Sequence, residues 1–153
     1  MIRQAALSDI DGIVDLAKHF YGQMDGGRFS EKIFRPNIRA LIKSERSFVL
    51  VCEHEGKISG ILIGVIDRLW YSEDMIAHDL AFAVKPEVSG LYAWLMVKQF
   101  MRWAKSKPGV VDITMQVSSG LGDTERVGAL YETLGMKKMG GCYSLFVGDG
   151  RRQ

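Results

Sequence analysis

At 153 residues the chain is long enough for one hydrophobic core, and it reads as a single domain over residues 1–153. Apolar residues make up 47% and charged residues 25%, and the net charge of +2 argues against nucleic acid or an anionic membrane as the main partner. No apolar run reaches the length of a membrane span and the first residues lack a signal-peptide core, so the expected location is cytoplasmic, with no membrane partner.

Residues 2–6 form a short strand candidate. Ser8 and Asp9 offer helix caps, and Ile10, Ile13, Val14 and Ala17 then recur at i, i+3, i+4 and i+7, which predicts an amphipathic helix ending near Tyr21-Gly22. A glycine-rich loop follows over residues 22–28. Pro36 suits a first helical position, so a second helix is placed at about 36–44, with Ile38, Leu41 and Ile42 facing inward. Residues 47–53 and 57–67 are apolar, β-branched runs joined by a hairpin loop containing Gly56. Residues 68–74 make a loop bearing Trp70 and Tyr71, and the next strand spans 76–84.

Pro86 stops that strand. A turn leads into a long helix, about 90–105, whose polar positions before its end are Lys98, Gln99 and Arg102, a single narrow wet strip. A strand, a tight turn and a mostly buried helix leave free backbone N–H groups able to face an anion. Residues 110–117 alternate cleanly and should run parallel to the strand before the helix. After a loop at 118–122, Thr124 is placed as the cap of a last helix with Val127, Leu130, Tyr131 and Leu134 inward, stopped by Gly135. A final strand is expected at 142–147, where an open sheet edge would invite a second copy and hence a homodimer. Cys52 and Cys142 fit no metal spacing; two reduced core cysteines and no metal site are expected.

The fold class is therefore α/β (α+β), one mixed sheet with helices on both faces in the order β-α-α-β-β-β-α-β-α-β. With four local features this order resembles the GNAT superfamily of N-acetyltransferases over nearly the whole chain. The features are Ile2-Arg3-Gln4-Ala5 followed by Ser8-Asp9-Ile10; Phe82-Ala83-Val84-Lys85-Pro86-Glu87; Gly90-Leu91-Tyr92-Ala93 opening a long helix; and Ala129-Leu130-Tyr131-Glu132-Thr133-Leu134-Gly135-Met136. The last is the most specific. The cofactor loop departs from the family pattern: Val88 stands where a basic residue or glutamine is usual, and Leu91 where a glycine is usual.

The resemblance implies acetyl-CoA as co-substrate. Phe82, Ala83 and Val84 would bind its pantetheine arm, and Val88, Ser89, Gly90, Leu91, Tyr92 and Ala93 its pyrophosphate. Without a basic side chain in the loop, CoA affinity should be weaker than usual. The acceptor would be a small-molecule amine or a protein amine. Tyr131 matches the family's general acid to the departing thiolate, against the plainer role of an inward core tyrosine. Asp79 is the best-placed acid for the base, against the plainer role of a solvated or paired strand aspartate. Asp79, Ala81 and Ala83 are expected on one side of their strand, with Leu80, Phe82 and Val84 on the other. Tyr21, Phe29, Trp70 and Tyr71 are the expected aromatic wall of the acceptor pocket. The alternative is a non-catalytic GNAT-like binding or regulatory protein whose cofactor loop has drifted.

Overall fold

The computed structural model describes residues 1–24, 27–117 and 123–148. Strand β1 (Ile2–Gln4) leads through a single 3₁₀ turn (Leu7–Asp9) into helix α1 (Ile10–Tyr21). Ile10, Ile13, Val14, Leu16 and Ala17 are the buried face of α1, as its 3.6-residue period requires. The Asp9 carboxylate serves the turn rather than the helix: it accepts from the Ala6 backbone N–H at 2.7 Å and from Arg3 Nη1 at 2.6 Å.

Helix α2 is longer than expected, running Glu31–Lys43 with Pro36 inside it. Ser30 caps it, its Oγ accepting from the Ile33 N–H at 3.4 Å. An interior proline costs about 3 kcal/mol in lost bonding and steric conflict. Burial of Ile38, with Phe34, Leu41 and Ile42 packed against the same cluster, offsets that cost.

Strands β2 (Ser47–His54), β3 (Lys57–Arg68), β4 (Met75–Val84) and β5 (Val110–Thr114) complete a five-stranded sheet in the order β1-β2-β3-β4-β5. All neighbours are antiparallel except β4 and β5, which are parallel and joined by helix α3 (Gly90–Lys105). One face of the sheet carries α1 and α2 over Val49, Val51, Ile61 and Ile63. The other carries α3 and helix α4 (Thr124–Thr133) over Leu50, Leu62, Ile66 and Ala77. Met96, Val97, Phe100 and Ala104 are the buried stripe of α3. A Cβ on Gly64 of β3 would overlap the Phe100 ring, so this glycine lets α3 settle on the sheet.

Three expectations change at the C-terminal half. The strand expected over 110–117 stops at Thr114. The cap of α4 is Asp123, whose Oδ1 accepts from the Arg126 N–H at 3.1 Å, with Thr124 as the first helical residue. Residues 142–147 do not join the sheet: Tyr143 is 98% exposed, Leu145 86% and Val147 87%. Alternation becomes a strand only where a neighbour supplies ladder bonds and a buried face, and among the described residues this segment has neither. The expected edge for pairing with a second copy is therefore not built from it. Cys52 is buried and Cys142 exposed, both as free thiols. Among the described residues no cluster of His, Cys, Asp or Glu could hold a metal ion, and no helix is long and apolar enough to cross a membrane.

Candidate active site

The parallel ladder between β4 and β5 is short. Met75 pairs with Val110 and His78 with Thr114, and no pair follows among the described residues. From Asp79 to Val84, β4 continues with β3 as its sole strand neighbour among the described residues, so alternate backbone N–H and C=O groups on its far side face a gap. A cleft of about 710 Å³ runs through this gap. Its walls come from α1, from β4 residues 79–84, from the turn into α3 and from α4.

Two parallel strands that separate need something to hold the separation. Here the Gln116 backbone N–H, which would belong to the ladder, donates to Asp79 Oδ1 at 3.0 Å. Asp79 reaches that position because of a β-bulge. Ile63 pairs with Ala81 but Gly64 pairs with Asp79, so Leu80 is the extra residue. Residues directly opposite one another share a face. Ile63 packs in the α1 cluster, whereas the Cβ position of Gly64 points at Phe100 of α3. Ala81 is therefore on the α1 side and Asp79 on the α3–α4 side, with Phe82, whose partner Leu62 lies in the α3 cluster. The expected grouping of Asp79 with Ala81 and Ala83 is corrected by this bulge, because one added residue reverses a two-residue period. His78 points away from Asp79, toward Asp67, with Nε2 to Oδ2 at 2.6 Å.

The reversal brings Asp79 to Tyr131. Tyr131 is 6% exposed and sits on the buried face of α4, its ring 6.4 Å from that of Phe82. Its hydroxyl donates to the Gln116 carbonyl at 3.1 Å. One residue thus ties the two side chains together: the Gln116 N–H donates to Asp79, and the Gln116 carbonyl, in the next peptide group, accepts from Tyr131. Burial pushes the Asp79 carboxyl above the ordinary carboxylate range, partly offset by the Gln116 N–H. Burial, and then the Asp79 charge, push the Tyr131 phenol well above its ordinary value, so it stays protonated at neutral pH.

At the other end of the cleft, α3 begins with an exposed turn. Ser89 caps the helix, its Oγ accepting from the Leu91 N–H at 3.2 Å, and its carbonyl accepts from the Tyr92 N–H at 2.9 Å. The Gly90 N–H has no acceptor among the described residues. Arg126 of α4 reaches across to it. A Cβ on Gly90 would lie 3.3 Å from Arg126 Nη2. Arg126 forms no salt bridge among the described residues, and it stands in the first turn of its own helix, where the dipole disfavours a cation. A guanidinium and the positive end of α3 therefore meet with no carboxylate between them, an arrangement that an anion relieves.

Most of the residues expected to bind cofactor line this cleft: Phe82, Ala83, Val84, Val88, Gly90 and Ala93. Ser89 acts as the cap, and Leu91 and Tyr92 point outward, 62% and 37% exposed. Val88 is 8% exposed and packs in the α3 core, so its side chain supports the turn rather than facing an anion. Tyr21 lines the cleft, and Phe29 stacks on it with ring centroids 5.9 Å apart. Trp70 and Tyr71 do not line it. They are 93% and 69% exposed in the turn before Met75, at the opposite end of β4 from α3. The loop serines Ser118 and Ser119 lie outside the described residues. Sequence reasoning missed Arg126 and Gln116. The signal available for Arg126 was a cation at the wrong end of a helix.

No family model and no curated protein matches the chain. Solved structures do match it. A glucosamine-6-phosphate N-acetyltransferase from Arabidopsis thaliana superposes with a TM-score of 0.72 at 19% identity, over 97% of this chain and 98% of that one. An aminoglycoside antibiotic 6'-N-acetyltransferase from Acinetobacter baumannii gives 0.71 at 17% identity, over 98% and 99%. An aminoglycoside acetyltransferase from an uncultured soil metagenomic sample gives 0.69 at 19% identity, over 97% and 98%. The chain has the fold of these N-acetyltransferases along nearly its whole length, as the sequence resemblance implied.

Proposed function

We propose that this protein is a GNAT-type N-acetyltransferase that moves the acetyl group of acetyl-CoA to a primary amine. The observation that carries this reading is the convergence of Asp79 and Tyr131 on Gln116, at the point where β4 and β5 part. The cleft fits the co-substrate. The Gly90 N–H and Arg126 would hold its phosphates, and the free edge of β4 would bond the pantetheine arm. Acetyl-CoA supplies the activated acetyl thioester.

The chain's own residues have three tasks. The Asp79 carboxylate, its basicity raised by burial, takes the proton of the incoming ammonium. The edge N–H groups of β4 donate to the carbonyl oxygen as it gains charge. The Tyr131 hydroxyl, protonated at neutral pH, gives a proton to the departing thiolate sulfur. The bond made is N–C and the bond broken is C–S. The nitrogen sheds its second proton as the amide forms, and that proton restores Tyr131 by way of solvent; the proton left on Asp79 also returns to solvent, so each turnover releases one proton.

A second reading has one observation behind it: Val88 and Leu91 stand where the family usually has a basic residue or glutamine and a glycine. On that reading the protein is a non-catalytic binding module. A thermal shift with acetyl-CoA, followed by free-thiol detection with an amine mixture, separates the two. Ligand at one hundred times its Kd should stabilise the protein by about 2.7 kcal/mol. A flat melting temperature at millimolar acetyl-CoA would overturn the transferase reading.

A further inference from the structure

We infer that the acceptor is a small primary amine carried on an apolar, ring-bearing body, an inference that rests on the transferase reading above. The acceptor limb of the cleft lies on the α1 side of β4. Leu16, Phe20, Phe34, Ile61, Ile63 and Ala81 form its wall. All six side chains are hydrocarbon. His19, Tyr21 and Gln23 are the polar residues at its rim, and the Gln23 amide donates to the His19 carbonyl at 2.8 Å.

Carboxylates are scarce in the cleft. Among the described residues its walls hold two, Asp79 and Asp123. Asp123 is taken by the cap of α4 on the cofactor side, with its Oδ1 on the Arg126 N–H. Asp79 projects to the α3–α4 side of β4 but lines the gap where β4 and β5 part, so it is the carboxylate left for an ammonium that enters the gap from the α1 side. One carboxylate suits one amine. An aminoglycoside would bring several ammonium groups, and an amino sugar several hydroxyls, against an inner wall of hydrocarbon, since the polar side chains of this limb, His19, Tyr21 and Gln23, stand at its rim. Polar groups buried without partners bind poorly. An aromatic or aliphatic body instead gains by burial against Phe20 and Phe34, whose rings suit edge or offset contact.

Size points the same way. The whole cleft is about 710 Å³, inside the range of small-molecule sites of roughly 300–1,000 Å³, and part of it must take the pantetheine arm. What remains suits a small amine rather than a protein surface.

The test is an acceptor panel with wild-type protein, saturating acetyl-CoA and free-thiol detection. The panel holds phenethylamine, hexylamine, ethanolamine, glucosamine, glucosamine 6-phosphate, spermidine, kanamycin and a peptide with a free N-terminus. Phenethylamine and hexylamine should exceed ethanolamine and glucosamine in kcat/KM by roughly a hundredfold, since hydrophobic pockets discriminate by about 10–200-fold per methylene-sized difference. Met24→Glu, a half-buried rim substitution, should narrow that ratio and raise activity toward spermidine. A preference for glucosamine, its phosphate or kanamycin would overturn the inference, as would acetylation of the peptide alone. If acetyl-CoA raises the melting temperature but no amine in the panel is turned over, the acceptor inference fails and the cofactor site stands. If acetyl-CoA leaves the melting temperature unmoved, the transferase reading fails and takes the inference with it.

Discussion

Arg126→Gln removes the cation that lies beside the start of α3 and leaves the helix, its Asp123 cap and the Gly90 N–H in place. With Nη2 3.3 Å from the Cβ position of Gly90, a phosphate on the Gly90 N–H would sit within about 4–6 Å of the guanidinium. Coulomb's law at 4 Å gives about 4 kcal/mol for unit charges at an effective dielectric of about 20, and about 1 kcal/mol in bulk water. Arg126 is exposed, so the lower part of that range applies, about 1–2 kcal/mol. The Kd for CoA should then rise roughly 5–30-fold. Calorimetric titration at low and high salt measures it, and the gap between wild type and variant should shrink as salt screens the pair. S-acetylpantetheine, which carries no phosphate, should bind both proteins equally. Equal CoA affinities, or an equal loss with S-acetylpantetheine, would refute the phosphate contact.

Other substitutions read the rest of the site. Tyr131→Phe deletes the hydroxyl that donates to Gln116 and should lower kcat by roughly 10²–10⁴-fold with little change in acetyl-CoA affinity; unchanged turnover would remove Tyr131 from the chemistry. Asp79 has its folded pKa raised by burial, so the unfolded chain loses that proton first as pH climbs above about 4, and stability falls through the window up to the raised value. Asp79→Asn should therefore be more stable than wild type at neutral pH and indistinguishable from it below about pH 4, by denaturant titration at both pH values. The same variant should lose the acidic limb of the pH–rate profile. Gly64→Ala forces a methyl group into the Phe100 ring and should cost about 1–3 kcal/mol, lowering Tm by about 2–4 °C for each, since neither the strand nor the buried helix can yield.

Chain periodicity was enough to reveal most elements of this protein. The buried stripes of α1 and α3, the hairpin of β2 and β3, the crossover that makes β5 parallel to β4, and Tyr131 as an inward residue of α4 all follow from local pattern. Such features depend on neighbours a few residues away, and the sequence carries them directly. Helix α2 shows the limit. Pro36 marked a start by local rules, but packing of Phe34 and Ile38 against α1 and the sheet carried the helix back to Glu31.

Tertiary structure alone decided how the site is assembled. A bulge exists only in relation to the opposing strand, so nothing in residues 76–84 could show that Leu80 is the extra residue or that Asp79 turns toward Tyr131. Arg126 meets Gly90 across 36 positions of chain, and its role follows from where α4 lies, not from what surrounds it in sequence. Residues 142–147 alternate like a strand yet find no ladder, and Trp70 and Tyr71 read as a binding wall yet stand at the far end of β4. In each case residue type gave a capacity, and the partners reached through the fold determined whether it was used.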